Sequence, residues 1–319
     1  MNILQKSAML CVAFASTALA PPSAISFARG PARPEAVRKP AEFRRVLVGR
    51  ITVIALSDGS VTVPMGTLLS IGPDRTAAAL PRREEAAGYP LPVNAYLVLA
   101  GGKLVLVDAG CGTFCGPTAG RLVESLRSAG YRPEQIDEVY LTHLHVDHVG
   151  GLTREGRAVF PNAVVRTDAV EAEWWSNAAN SAQTPEAAKG TFDAAKAMLE
   201  PYIAAGRFRP FAKGEPLVEG IRALAEPGHT PGHSGYVVGR GRQKLVIWGD
   251  LVHAVEVQLD DPKITIAFDS APAQAAATRQ GELRDLASTG ALVAAAHVPF
   301  PGIGRVGRHG STFAWKARR

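Results

Sequence analysis

The run Thr142-His143-Leu144-His145-Val146-Asp147-His148-Val149-Gly150-Gly151 constrains this chain more than any other stretch. Three imidazoles and a carboxylate between positions 143 and 148 have the density of a metal-ligating segment, not of a packed core. On an extended backbone, side chains two apart share a face, so His143 and His145 point the same way. Asp147 and His148 can turn toward a second point only if the strand ends there. One short segment therefore offers ligands to two neighbouring cations, and the fold must bring the remaining donors from elsewhere in the chain.

With 319 residues, 46% hydrophobic and 20% charged, the chain can bury a sizeable core within one large α/β layered unit. The net charge of +6 is spread along it, except for Arg305, Arg308, His309, Lys316, Arg318 and Arg319 near the C-terminus. That cluster reads as a solvated basic end, so no nucleic-acid partner is expected. Residues 1–28 read as an export signal: Lys6 precedes a small apolar stretch, with Ala18-Leu19-Ala20 and Ser26-Phe27-Ala28 as competing cleavage sites. The stretch is too short to span a bilayer comfortably, so the expectation is an exported, periplasmic protein without stable membrane insertion. Residues 29–45, with Pro31, Pro34 and Pro40, read as a linker ahead of a catalytic domain over 46–319. Outside the signal only Cys111 and Cys115 remain. A disulfide between them suits an oxidising compartment; two free thiols are the alternative, and a structural zinc would need more such pairs.

Asp58-Gly59, inside the alternating stretch 50–64, predicts a hairpin turn. Residues 65–92, rich in Pro, Gly and charge, read as a long loop overhanging the site. From Tyr96 to Asp108 the chain reads as two strands around Gly101-Gly102 ending in a carboxylate, and the pattern recurs from Tyr236 to Asp250. Both hairpins are apolar on both faces, so helices must cover them. Helices are predicted over 118–129, 168–176, 185–200 and 271–287. The expected fold is two similar αβ halves packed sheet to sheet, with active residues at the strand ends.

The other histidines sort by local context. His229 lies in the rigid turn Glu226-Pro227-Gly228-His229-Thr230-Pro231-Gly232-His233, where His233 reads as a supporting group. Asp250 ends a buried strand, where an unshared carboxylate would be costly and one shared between two cations would not. His297 follows an apolar strand, and Asp108 reads as a turn carboxylate behind the ligands.

The motifs Thr-His-Leu-His-Val-Asp-His at 142–148, Gly-His-Thr at 228–230, Gly-Asp at 249–250 and Ala-His at 296–297 resemble those of the metallo-β-lactamase superfamily. The resemblance runs from about residue 46 to 310 and implies the αββα sandwich. It implies one divalent metal on His143, His145 and His229, and another on Asp147, His148 and His297. Asp250 would bridge them, with Asp108 and His233 behind. Zn²⁺ is expected; Mn²⁺, Co²⁺ or Fe²⁺ would suit the same donors. The stretches Ile54–Gly59, Phe160–Arg166 and Ala294–Gly304 further resemble the exported methyl parathion hydrolase and dihydrocoumarin lactonase group. His253 and Phe268 stand where that group's phosphotriesterases carry aliphatic residues. That favours lactone or aryl ester hydrolysis, with promiscuous organophosphate cleavage, over a dedicated phosphotriesterase. A β-lactamase is disfavoured by the bridging Asp250, and a non-catalytic binding module by the complete donor set. The implied nucleophile is a hydroxide between the metals, with Asp250 or Asp147 passing its proton to the leaving group. Candidate pocket walls are Met65, Leu68, Phe114, Trp174, Trp175, Phe192, His253 and Phe268, which suit a small hydrophobic lactone, ester or organophosphate. The resemblance also implies a homodimer, with the apolar stretch 65–72 as its interface.

Overall fold

Two six-stranded sheets, each drawn from one contiguous part of the chain, pack face to face. The computed structural model describes residues 42–183 and 186–318; the signal read at 1–28 and the linker as far as residue 41 lie outside the described residues. The first part comprises β1 (Phe43–Val48), β2 (Ile51–Val63), α1 (Met65–Leu68), α2 (Pro73–Ala79), β3 (Tyr89–Ala100), β4 (Lys103–Val107) and α3 (Leu122–Ser128). It continues through β5 (Glu138–Tyr140), α4 (Val146–Val149), β6 (Thr153–Arg154), β7 (Arg157–Ala158) and β8 (Val164–Arg166). Helices α5 (Ala169–Ser176), α6 (Ala178–Gln183) and α7 (Glu186–Ala204) follow. The second part holds β9 (Ile221–Ala225), β10 (Ser234–Arg240), β11 (Gln243–Ile247), α8 (Val255–Gln258), α9 (Pro272–Thr289), β12 (Leu292–Ala294), β13 (Ile303–His309) and β14 (Thr312–Ala317).

The sheet orders are β1-β2-β3-β4-β5-β8 and β14-β13-β12-β11-β10-β9. In each, an antiparallel hairpin (β3–β4 or β10–β11) hands over to a parallel strand, β5 or β12, through a crossover containing α3 or α9. This is the repeat legible in the sequence. Period-2 alternation builds the layers. Val105 and Val107 of β4 face the other sheet, while Leu106 packs with Leu122 and Leu126 of α3. In β11, Leu245 and Ile247 point between the sheets, while Val246 meets Leu283 and Leu286 of α9. Each such buried side chain contributes about 1.5–3 kcal/mol. Polar ties register the halves: Tyr236 Oη donates to Leu141 O at 2.7 Å and Tyr96 Oη to Ala295 O at 2.8 Å.

Three expectations need correction. Asp58-Gly59 is not a hairpin turn: β2 runs straight through it, paired to β3 with a bulge between Ser57 and Gly59. The Asp58 carboxylate is buried and accepts the N–H groups of Cys111, Gly120 and Leu122 at 2.8–3.0 Å. Gly59 has φ 122°, and a Cβ there would lie 2.2 Å from Thr118 O. Second, residues 65–92 are not a loop but α1, α2, a 3-10 turn at Arg83–Ala86 and the start of β3. Met65, Leu68 and Leu69 are buried with Leu80, Leu91, Val257 and Ile266. They are buried in a cluster that also holds Ala254, next to His253, and Ile266, two residues before Phe268. Third, β1 begins at Phe43, so residues 43–45 belong to the sheet and not to a linker. Cys111 and Cys115 are disulfide-bonded, with Cα atoms 5.7 Å apart. Among the described residues no helix is long and apolar enough to cross a membrane.

Candidate metal centre

β5 ends at Tyr140, and the chain, bent at Thr142, reaches His145 in an extended conformation (φ −70°, ψ 154°) before α4 starts at Val146. His143 and His145 therefore present His143 Nε2 and His145 Nδ1 to one point, 3.0 Å apart. The turn of α4 then carries Asp147 and His148 to the other side, as the residue spacing required. His229 comes from the turn between β9 and β10, with its Nε2 3.0 Å from His145 Nδ1. Gly228, just before it, has φ 132°, and a Cβ there would strike the backbone of Ala275. Asp250 follows β11 and His297 follows β12, both on turns rather than on the strands themselves. Asp250 faces both ways: its Oδ2 lies 3.2 Å from His229 Nε2, and its Oδ1 lies 3.0 Å from both His148 Nε2 and His297 Nε2. Asp147 Oδ2 completes the second set at 3.4 Å from the same two nitrogens. The result is two four-residue sets, His143/His145/His229/Asp250 and Asp147/His148/Asp250/His297, each with donor atoms within 4.8 Å of one another.

These residues fit divalent ions. His148 Nε2, His297 Nε2 and Asp250 Oδ1 are buried without hydrogen-bond partners, a costly arrangement unless a cation sits among them. The far ring nitrogens of His143, His148, His229 and His297 are held, which fixes their tautomers. His148 Nδ1–H donates to Asp108 at 2.8 Å, His229 Nδ1–H to Asp269 at 2.9 Å, and His297 Nδ1–H to Pro92 O at 2.7 Å. His143 Nδ1 lies 3.1 Å from the Thr142 hydroxyl, which itself donates to Asp108. Asp108 adopts φ 62°, a conformation rare outside glycine, to reach both partners. Burial drives His145 down to about 3, keeping the ring neutral as a ligand must be. Burial also opposes a proton on His148 and His229, but the surrounding carboxylates outweigh it, raising His148 well above its ordinary value and His229 to about 9. For Asp147, burial pushes upward, yet the His148 and His297 rings hold it below the usual carboxylate range. The carboxylates thus collect positive charge where a metal would supply it.

A family model described as the metallo-beta-lactamase superfamily matches residues 88–297. The chain belongs to this superfamily. A ribonuclease of Thermus thermophilus is 34% identical over 54% of this chain and 38% of its own length. An N-acyl homoserine lactonase of Bacillus cereus is 25% identical over 47% of this chain and 52% of its own. The matches thus span only about a third to a half of these relatives. Whole-chain similarity appears among solved structures. The hydrolase AbOPH superposes with a TM-score of 0.81 at 32% identity, covering 88% of this chain and 99% of that one. AidC, a dizinc quorum-quenching lactonase in complex with a product, gives a TM-score of 0.81 at 25% identity, covering 88% and 98%.

Around this metallo-beta-lactamase centre, four of the eight expected wall residues gather. Trp175 sets its ring at right angles to His145, centroids 5.5 Å apart, and packs on Phe192 at 4.5 Å. His253 stacks on His297 at 5.2 Å, and Phe268, 38% exposed, lies 6.4 Å from His253. Met65 and Leu68 belong to the core, as described above. Neither Phe114 nor Trp174 has a ring contact with the histidines. His253 does more than line a wall: its Nε2–H donates to Asp250 Oδ2 at 3.0 Å. His233 accepts the backbone N–H of Asp250 at 3.0 Å, a supporting place as expected. Gly249 makes room for it, since a Cβ there would sit 2.6 Å from His233 Nε2. Sequence reasoning missed Asp269 and Glu171. Asp269, two residues before the start of α9's cap region, reads as an ordinary helix-start carboxylate. Glu171 is one of two glutamates on a short helix, and no motif marks it.

Proposed function

We propose that this chain is a metal-dependent hydrolase that opens lactones and cleaves aryl esters, with slower promiscuous hydrolysis of organophosphate triesters. The observation that carries the reading is the pair of donor sets sharing Asp250, floored by buried polar groups and rimmed by Trp175, Phe192 and Phe268. The same fold in a dizinc lactonase supports the lactone preference and zinc as the metal. When bound, two divalent ions would supply an activated water and Lewis acidity toward a carbonyl or phosphoryl oxygen. His143, His145, His229 and Asp250 would hold one, and Asp147, His148, His297 and Asp250 the other. Asp250 is closed in, its side chain 4% exposed and tethered by His253, so it orients. Asp147, at 19% exposure, is the carboxylate open to a substrate and, being ionised, the better placed to take a proton from the attacking water and pass it to the leaving oxygen. The aromatic rim excludes water and takes up an apolar acyl chain or aryl ring.

Steady-state assays on metal-reconstituted protein, run in parallel on an aryl lactone, an acyl-homoserine lactone and a methyl phosphotriester, test this order. If the phosphotriester has the highest kcat/KM, the lactonase preference is wrong and the dedicated phosphotriesterase reading replaces it. We also propose export and a homodimeric state. The Cys111–Cys115 bond suits an oxidising compartment. Cell fractionation and light scattering check these two points.

A further inference from the structure

We propose that Glu171 is a positioning residue for one metal only, the ion held by His143, His145 and His229. The inference rests on the two-metal reading above. Glu171 lies on α5, 0% exposed, and none of its four hydrogen bonds goes to a metal-ligand side chain. Its Oε1 accepts the backbone N–H of Leu144 at 3.0 Å and Trp175 Nε1–H at 2.7 Å. Its Oε2 accepts the Thr230 hydroxyl at 2.7 Å and the Gly232 N–H at 3.0 Å. Leu144 stands between His143 and His145, and Thr230 directly follows His229. One carboxylate therefore suspends both loops that deliver the three imidazoles. It also orients Trp175, the ring set against His145.

The approach of the second loop is built for this contact. A Cβ on Gly232 would sit 2.2 Å from Glu171 N, so only glycine lets that loop close on α5. The donor set demands a carboxylate. Two oxygens with four lone-pair sites meet four donors, two from the backbone, one indole and one hydroxyl. A glutamine at this position must turn its NH₂ toward one pair of those donors: it loses both bonds on the Leu144 and Trp175 side, or on the other side loses the Gly232 bond while the Thr230 hydroxyl reverses to accept. The other metal position has supports that Glu171 does not touch: Asp108 behind His148, which also backs His143 through Thr142, and Pro92 O behind His297. Glu171 contributes no hydrogen bond to Asp147, His148 or His297. Loss of its clamp loosens two loops whose ligand nitrogens lie 3.0 Å apart, and so acts on one ion.

The test is metal binding by apo-protein prepared with a chelator and titrated with Zn²⁺ in a calorimeter, then dialysed for elemental analysis. Wild type is expected to retain two ions per chain. Glu171→Gln is expected to weaken one of them about 10–100-fold and the other less than about threefold, retaining one ion after dialysis. Adding His297→Ala to Glu171→Gln should remove the retained ion, whereas adding His229→Ala should not. Trp175→Phe, which removes one donor but leaves both loops tied, should retain two ions. Thr230→Val should weaken the same single ion by a smaller factor, and it carries the test if Glu171→Gln does not fold. Equal weakening of both ions, or of neither, in whichever variant folds overturns the proposal. Fewer than two ions on wild type overturns the two-metal reading instead.

Discussion

Glu226 is buried with neither carboxyl oxygen hydrogen-bonded, and burial, helped by Glu282, pushes its carboxyl well above the ordinary range. A raised folded value means the neutral acid is the stable form inside. Its contribution is fully present below the ordinary carboxylate pKa and is lost as pH rises through the raised one. Glu226→Gln keeps the shape and removes the titration, so its stability relative to wild type should grow from pH 4 to pH 8 in urea denaturation. A pH-independent difference would contradict this. Asp108 gives a second expectation at the same scale. Asp108→Asn turns an NH₂ toward His148 Nδ1–H or Thr142, and affinity for the ion on Asp147, His148 and His297 should fall about 10–100-fold in chelator competition. Among single residues, the histidines were legible because their chemistry is packed into 142–148 and echoed at Gly228-His229 and Gly249-Asp250. Glu171 and Asp269 were not, because an isolated carboxylate acquires its partners only when distant loops converge on it.

At the level of elements, β2 shows how one dipeptide serves two geometries. Asp-Gly between alternating apolar residues suits a tight turn, but glycine's freedom at φ 122° serves a bulge equally well. What decides is tertiary: Asp58 caps three N–H groups of the 109–122 segment, so the strand must continue past it. Asp58→Ala strands those donors in a buried place and should cost about 3 kcal/mol or more. Hydrogen exchange should rise first at residues 109–122; uniform exchange across β2 and β3 would argue against a local cage. The stretch 65–92 was misread for a related reason. Its prolines and charges mark loop boundaries, while Met65, Leu68 and Leu80 find their apolar partners on α8 and in the 264–266 segment, far along the chain.

Across the whole molecule, the layers were readable because each buried hairpin is apolar on both faces and the pattern occurs twice. The metal donors sit where the two halves meet: His143, His145, Asp147 and His148 from the first, His229, Asp250 and His297 from the second. Binding to the folded state alone adds stability, about 4 kcal/mol for an ion at 1,000 times its Kd. Stripping the metals should therefore lower the Tm by several degrees, with recovery on re-addition of Zn²⁺ followed by calorimetry. An unchanged Tm would mean that the halves hold together without help from the centre.

Each sheet is also complete within its own stretch of chain, the first ending at Arg166 and the second starting at Ile221. A backbone break between Ala212 and Gly220 would thus yield two pieces with intact sheets but unfinished ligand sets. Neither piece could chelate as the whole does, and reassembly would complete both shells at once. Such a severed pair would grip more tightly when divalent ions are supplied and loosen when a chelator removes them, with the apolar layer between the sheets holding it meanwhile.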